Sequence, residues 1–200
     1  MDKQRLQNLR AATRPLHDRL ESLVDGARLM EPPFDPLHYA KLLKAHLGFT
    51  RLINAQFTQD ISFEVALPTW PDTARMQDIE ADLKALGVSV PEQAPDSLAI
   101  SSPNAAFVVG LCYVAEGAAM GNQMMHKALL QLPAFRALDA QRYLQSSKDG
   151  LSARWKTFQK VLGHYLIEEE PVVIEGAKTG FSQFENIWAS LEASSSIKVK

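Results

Sequence analysis

The sequence predicts an all-α fold in a single domain. Apolar residues recur at helical spacing, as Leu9, Leu16 and Leu20 do near the start of the 200-residue chain. No segment of useful length alternates apolar and polar side chains as a half-buried strand does. The 10 glycines and 11 prolines mark the breaks between apolar stretches. This pattern is typical of a helical bundle.

The first predicted helix covers residues 3–25 and ends at Asp25-Gly26, since glycine favours the left-handed conformation that follows a helix. Pro15 interrupts this helix, because proline has no N–H to donate to the preceding turn. Thr13 can cap a new start, which places Pro15 in a first turn, where the missing N–H costs little. We therefore expect a bend near Thr13.

The second predicted helix follows a proline-rich loop that ends in Asp35-Pro36, a favourable helix start, and it extends from Leu37 to about Phe57. The remaining helices are predicted over residues 73–86, 104–132, about 145–162 and 167–191. A connector with several prolines spans residues 88–103. These elements belong to one domain over residues 1–192, and residues 193–200 form a polar tail that we expect to be disordered.

Composition argues against several classes of protein. The chain has 21 basic and 23 acidic residues and a net charge of −2, whereas nucleic-acid binding normally requires surplus basic charge. A single cysteine, Cys112, excludes an internal disulfide and a multi-thiolate metal site. The N-terminus lacks the apolar core of a signal peptide, and no apolar run reaches the roughly 20 residues that span a bilayer. We expect a cytoplasmic protein that binds neither nucleic acid nor membranes.

His17 is the most informative of the five histidines. It shares a face of the first helix with Leu20 and Glu21, which lie about one turn further on. The Glu21 carboxylate can accept a hydrogen bond from one ring nitrogen, and the other nitrogen is then available to a metal ion. The alternative is an ordinary helix histidine held by a surface carboxylate. For the other histidines we expect solvated or hydrogen-bonded side chains: His38, His46, His126 and His164.

A second group of residues lies in the longest apolar helix, where Gly117 and Gly121 are about one turn apart. Each glycine inside a helix costs about 0.5–1 kcal/mol relative to alanine, so a pair of them needs a reason. Together with Ala118 and Ala119 they reduce one face of the helix to little more than backbone. Either another helix packs closely against this face, or a flat ligand lies against it.

Other common sites of all-α proteins are absent from the sequence. A di-iron carboxylate site takes Glu-x-x-His pairs, but no glutamate in this chain has a histidine three positions later. The sequence also contains no glycine-rich phosphate loop and no nucleophile elbow. The histidine and the glycine pair are therefore the main candidates.

Together these two groups resemble motifs of the haem oxygenase family, in particular its bacterial branch. Residues 9–21 are similar to the family's proximal helix, with the pattern L-R-x-x-T-x-x-x-H-x-x-L-E. The run Tyr-x-x-Glu-Gly-x-x-x-Gly at residues 113–121 is similar to its distal helix. Residues 176–185, with the sequence GAKTGFSQFE, are similar to its last helix. The resemblance extends from about residue 6 to residue 191.

The resemblance implies an enzyme that opens haem oxidatively, with O2 and electrons from an external donor, to biliverdin, carbon monoxide and free iron. Haem is then both cofactor and substrate. The implied electron donor is a reductase or a ferredoxin, and a bilin-accepting photoreceptor is a further implied partner. Two alternatives stay open at this point: a haem carrier or sensor of the same fold without efficient turnover, and a purely structural helical module.

The resemblance also implies which residues form the site. His17 corresponds to the axial iron ligand, and Glu21 to the carboxylate that orients it. The distal side of the family's haem site corresponds to two pairs of neighbouring residues: Gly117 and Ala118, and Gly121 and Asn122. Two groups correspond to the residues that hold the haem propionates: Arg10 and Tyr113.

Two residues depart from the family pattern, and one further set of residues corresponds to it. Ala118 stands where bacterial members often have serine, which removes a hydroxyl donor. Asn122 stands where a small residue is common, so its amide is expected to enter or border the pocket. Further basic contacts of the family correspond to Arg154, Lys156 and Lys160.

Overall fold

The computed structural model describes residues 3–90, 100, 103–146 and 150–196, and within these ranges it contains ten helices and no strand. The helices are α1 (Lys3–Val24), α2 (Gly26–Leu29), α3 (Pro36–Asn54), α4 (Gln59–Val65), α5 (Thr73–Ala85), α6 (Ala105–Leu129), α7 (Pro133–Arg136), α8 (Arg142–Ser146), α9 (Leu151–Glu168) and α10 (Glu170–Ser196). The prediction of an all-α fold is confirmed.

Helix α10 lies at the centre of the bundle. It packs most extensively against α6, and it also contacts α1, α3 and α9. At the crossing of α6 and α10 the two backbones touch: a Cβ atom at Gly110 would overlap the carbonyl oxygen of Val173, and one at Gly176 would overlap that of Phe107. Only glycine permits such a close approach. This crossing fixes α6 against α10.

Helix α1 is continuous from Lys3 to Val24, so the predicted new helix start at Thr13 is wrong. The Thr13 hydroxyl does not cap a new start but donates 2.8 Å to the carbonyl oxygen of Leu9, one turn earlier. Pro15 removes only the hydrogen bond to Ala11, and both of these residues are exposed. Burial of Leu9 and Thr13 against the core keeps the helix whole across the proline. Its predicted end is confirmed.

The starts of α3 and α6 follow the sequence closely. Asp35 caps α3 by accepting hydrogen bonds from the backbone N–H groups of Leu37 (3.0 Å) and His38 (3.1 Å). Asn104 caps α6 by accepting from the N–H of Phe107 at 2.9 Å. Both caps are short polar side chains at the positions that the sequence indicates.

Other bounds differ from the prediction. The predicted helix over 145–162 is α9, which covers Leu151–Glu168, and four short helices, α2, α4, α7 and α8, were not predicted. Helices of four to seven residues contain too few turns to show a helical period. α10 continues to Ser196, beyond the predicted start of the tail at residue 193. Residues 197–200 and most of the predicted connector, 91–99 and 101–102, lie outside the described residues.

Helix α6 is long and apolar enough to cross a membrane by length and composition alone. However, 67% of its most apolar window is buried inside the protein. This is the pattern of a core helix, and the buried residues of α6 form part of the main hydrophobic core.

Candidate functional site

One face of α6 differs from the rest of that helix because it is exposed. At 3.6 residues per turn, its residues fall within an arc of about 100°. We call this face the glycine stripe; it consists of Tyr113, Gly117, Met120, Gly121 and Met124. The methionines are 45% and 75% exposed, which is unusual for large apolar side chains in a core helix.

No other helix packs against the two glycines of the stripe. A Cβ atom at Gly117 or at Gly121 would meet nothing within 4 Å among the described residues, whereas Gly110 of the same helix contacts backbone. Close helix packing therefore explains Gly110 but not the pair at 117 and 121. An apolar helix face that has no side chains at its two glycines and is open to solvent is the surface that a flat apolar ligand requires.

His17 lies on α1 with its side chain 50% exposed. Its Nδ1 atom is 3.7 Å from a carboxylate oxygen of Asp18 and 3.7 Å from one of Glu21, too long for direct hydrogen bonds but close enough for electrostatic contact. The edge of the ring packs on Phe181 of α10, with 6.0 Å between ring centroids. Both carboxylates face Nδ1, so Nε2 is the nitrogen that can bind a metal ion.

A single stretch of α10 contacts both α1 and α6. Phe181 contacts His17 of α1, while the adjacent Gly180 approaches Val114 of α6, whose Cγ2 atom would lie 3.0 Å from a Cβ at position 180. At the start of α2, directly after α1, a Cβ atom at Gly26 would lie 3.8 Å from the side chain of Met125 of α6. The histidine and the glycine stripe are therefore on helices that meet on α10.

Arg10 lies on α1 and Tyr113 on α6. Arg10 precedes His17 by seven residues, which places both on one face of α1. Its side chain is exposed and forms no ion pair with any described residue. Tyr113 is half-buried, packs against the core and begins the glycine stripe. No described contact joins the two side chains, so they are brought to the site separately.

Asn122 differs from expectation. It lies about 140° around α6 from Gly117, because five residues advance the helix by that angle. Its side chain is buried, and its Nδ2 atom donates 2.8 Å to the hydroxyl of Tyr143. The amide therefore lies behind the glycine stripe and neither lines nor crowds it. Ala118 is half-buried at the edge of the stripe.

The residue that sequence analysis missed is Glu116, directly before Gly117. Its side chain is 0% exposed and accepts hydrogen bonds from Trp70 Nε1 (2.9 Å) and Arg154 Nε (2.8 Å). Arg154 was expected to contact the ligand, but it is committed to this buried carboxylate. Burial alone lowers the pKa of Arg154, but bonding to Glu116 and to Asp72 outweighs burial and raises it. One signal was available: Glu116 is the only acidic residue of α6.

His38 and His164 agree with the expectation of solvated or hydrogen-bonded side chains, since His164 is exposed on α9. His38 Nε2 is 2.8 Å from the carbonyl oxygen of Val24. His46 is buried between Tyr143 and Phe184, with ring centroids 5.2 and 5.1 Å away. Burial, and to a lesser extent the positive charge of Arg75, lowers the pKa of His46 to about 3, so its ring is neutral.

Comparisons with known proteins identify the family and the fold. The family model for heme oxygenase matches residues 3–190. Among solved structures, the NO- and CO-bound heme oxygenase from Neisseria meningitidis is similar, with a TM-score of 0.68 and 22% identity over 92% of this chain and 89% of that chain. At this identity the structural match shows the fold. A search of curated proteins gives no significant match. Because the family model covers nearly all of the chain, this protein belongs to the haem oxygenase family.

Proposed function

We propose that this protein is a haem oxygenase that holds haem between His17 of α1 and the glycine stripe of α6. The observation that carries the proposal is the open face at Gly117 and Gly121, in a helix that is otherwise buried. The helix that carries this face packs at Val114 against the same stretch of α10 that contacts His17, a half-exposed histidine with one free ring nitrogen. The residues present therefore fit haem.

On the α1 side, His17 Nε2 is the proposed iron ligand, and Glu21 and Asp18 set the orientation and basicity of the imidazole. Their carboxylates favour a proton on Nδ1, which leaves the lone pair of Nε2 for the metal ion. A neutral imidazole is the axial ligand that suits O2 binding and activation.

On the α6 side, the backbone at Gly117, Ala118 and Gly121 would face bound haem, and Met120 and Met124 would offer it apolar contact. Apart from the Tyr113 hydroxyl, the stripe carries no side-chain proton donor. Protons for the reaction therefore come from water held against backbone groups. Arg10 and Tyr113 are the proposed partners of the propionates, Arg10 as a charged donor and Tyr113 as a neutral one.

Bound haem supplies the redox-active iron and is itself the substrate, which O2 and electrons from a reductase or ferredoxin convert to biliverdin, carbon monoxide and iron. We place this reaction in the cytoplasm, with a bilin-accepting photoreceptor as a candidate recipient of the product. A haem carrier or sensor is the second candidate function. It is favoured by Ala118, which lacks the hydroxyl donor of many bacterial members, and by Asn122, whose amide is bonded to Tyr143 instead.

Titration with hemin tests the proposal. We expect the purified protein to give a sharp Soret band that His17→Ala abolishes, while His164→Ala, a change at an exposed histidine of α9, leaves it intact. Addition of a reductant in air, with catalase present, then separates the two candidates. Loss of the Soret band with formation of biliverdin, identified by mass and chromatography, indicates the enzyme. A stable oxygenated haem protein indicates the carrier, and the lack of any Soret band in the unmodified protein would refute both.

A further inference from the structure

Glu116 anchors α6 at the position next to the glycine stripe. Its carboxylate is fully buried and is bound on two sides, by the indole Nε1 of Trp70 at 2.9 Å and by the guanidinium of Arg154. Arg154 reaches it with two donors: Nε donates to Oε2 at 2.8 Å, and Nη2 donates to Oε1. This paired geometry fixes direction as well as distance.

The same guanidinium connects Glu116 to a second buried carboxylate. Arg154 Nη2 is 2.7 Å from Asp72 Oδ2, and Arg75 Nε is 3.0 Å from the same oxygen. Arg75 also approaches Glu116 at 3.5 Å. We call Asp72, Arg75, Glu116 and Arg154 the buried charge network. It contains two carboxylates and two guanidiniums, so its formal charges balance, and it ties α6 to α5, α9 and the turn before α5.

Packing on this side of α6 is interrupted. A cavity of about 150 Å³ lies behind the helix, and its lining includes Asp72, Arg75, Ala119, Tyr143 and Arg154. Side chains interlock less where such a space exists, so they resist rotation of the helix less. The directional bonds of Glu116 supply the missing constraint. Rotating α6 would pull Glu116 off its partners and leave a buried charge uncompensated, which is strongly unfavourable.

We propose that Glu116 is a positioning residue, which sets the rotation of α6 and so keeps Gly117 and Gly121 facing the haem side. The expected effect of Glu116 on haem binding rests on the proposed function. The effect on α6 itself does not depend on haem. Glu116 lies about 100° from Gly117 on the helix, so it acts through the backbone and does not touch the ligand.

Hydrogen–deuterium exchange of the protein without haem tests the effect on α6. Glu116→Gln keeps the shape and the oxygen that Trp70 binds, but it removes the charge that balances Arg154. We expect amides of residues 117–124 to exchange about tenfold faster, while residues 105–112, which the crossing at Gly110 holds, keep their rate. Exchange rates that do not change in either segment, or that rise by the same factor in both, would overturn the proposal.

Two further variants keep the test decisive if Glu116→Gln does not fold. Trp70→Phe removes only the indole donor, and Arg154→Lys keeps the charge but loses the paired geometry. We expect both to accelerate exchange of residues 117–124, by less than Glu116→Gln. Arg51→Met is the matched control, because it breaks a tertiary ion pair with Glu80 between α3 and α5. It should leave the exchange of both α6 segments unchanged.

Hemin affinity separates a positioning role from a general loss of stability. We expect Glu116→Gln to weaken hemin binding about tenfold. Arg51→Met should leave the hemin affinity unchanged when the two variants are compared at an equal decrease in the melting temperature. Equal affinity in all variants would overturn the positioning role. If the unmodified protein does not bind hemin, the proposed function fails, and the exchange rates still decide whether Glu116 fixes α6.

Discussion

At the His17 imidazole, two carboxylates approach the same ring nitrogen, Nδ1, at equal distances of 3.7 Å. In the proposed haem site, Asp18 and Glu21 therefore share the role that the sequence predicts for Glu21 alone. Because both carboxylates are exposed at the surface, each contributes little to stability, about 0–1 kcal/mol. Their influence is on the electron density of the ring, and it is divided between them.

Glu21→Ala tests this division. The remaining carboxylate of Asp18 still faces Nδ1, so we expect hemin uptake to persist, with affinity reduced by less than about tenfold. The iron–histidine bond should weaken, because the imidazole loses part of its anionic character. Resonance Raman spectroscopy of the reduced haem complex measures this as a lower Fe–His stretching frequency. An unchanged frequency would remove Glu21 from this role, and Asp18→Ala provides the matching comparison.

Within α6, glycine serves two opposite purposes along one helix. Gly110 admits the backbone of α10, whereas Gly117 and Gly121 leave a face open. The first is a packing requirement, and under the proposed function the second is a requirement of the ligand. The one-turn spacing in the sequence singles out Gly117 and Gly121, but it does not show that Gly110 is the glycine that meets another helix.

A pair of substitutions separates the two purposes. Gly121→Leu adds a side chain to open space, so we expect the melting temperature to change by less than about 3 °C while hemin binding and turnover are lost. Gly110→Leu forces a side chain into the backbone of α10, which costs about 3 kcal/mol or more and greatly lowers the melting temperature. Circular dichroism melts and Soret titrations measure both effects. Normal turnover by Gly121→Leu would contradict the assignment of the stripe.

Across the whole molecule, buried ionisable groups couple the fold to pH. His46 has a pKa of about 3 in the folded protein, well below the value of about 6.5 of an unfolded chain. The unfolded state therefore binds an additional proton between these two values. Stability contributed by the neutral ring is complete above pH 6.5, and it falls as the pH decreases toward 3.

His46→Gln, which does not titrate, isolates this effect from that of the other ionisable groups. Between pH 7 and pH 5 we expect the unmodified protein to lose about 2 kcal/mol more of its unfolding free energy than the variant does. Urea unfolding at the two pH values measures the difference. Equal losses in both proteins would show that His46 does not resist protonation in the folded state.

The sequence by itself determined the helical class, the caps of α3 and α6, and the two faces that carry His17 and the glycine stripe. These features depend on residues that are close together in the chain, such as a cap and the N–H groups two or three positions later. Composition and helical period are therefore sufficient to predict them.

Only the tertiary structure decided the surroundings of the stripe. The bond from Arg154 to Glu116 joins residues 38 positions apart. At the start of α8, the backbone N–H groups of Arg142 and Tyr143 donate to Asp82 of α5, which lies 60 and 61 positions earlier in the chain. The direction of Asn122 toward Tyr143 is equally non-local. A charge or an amide selects its partner by proximity in space, and packing of the helices on α10 creates that proximity.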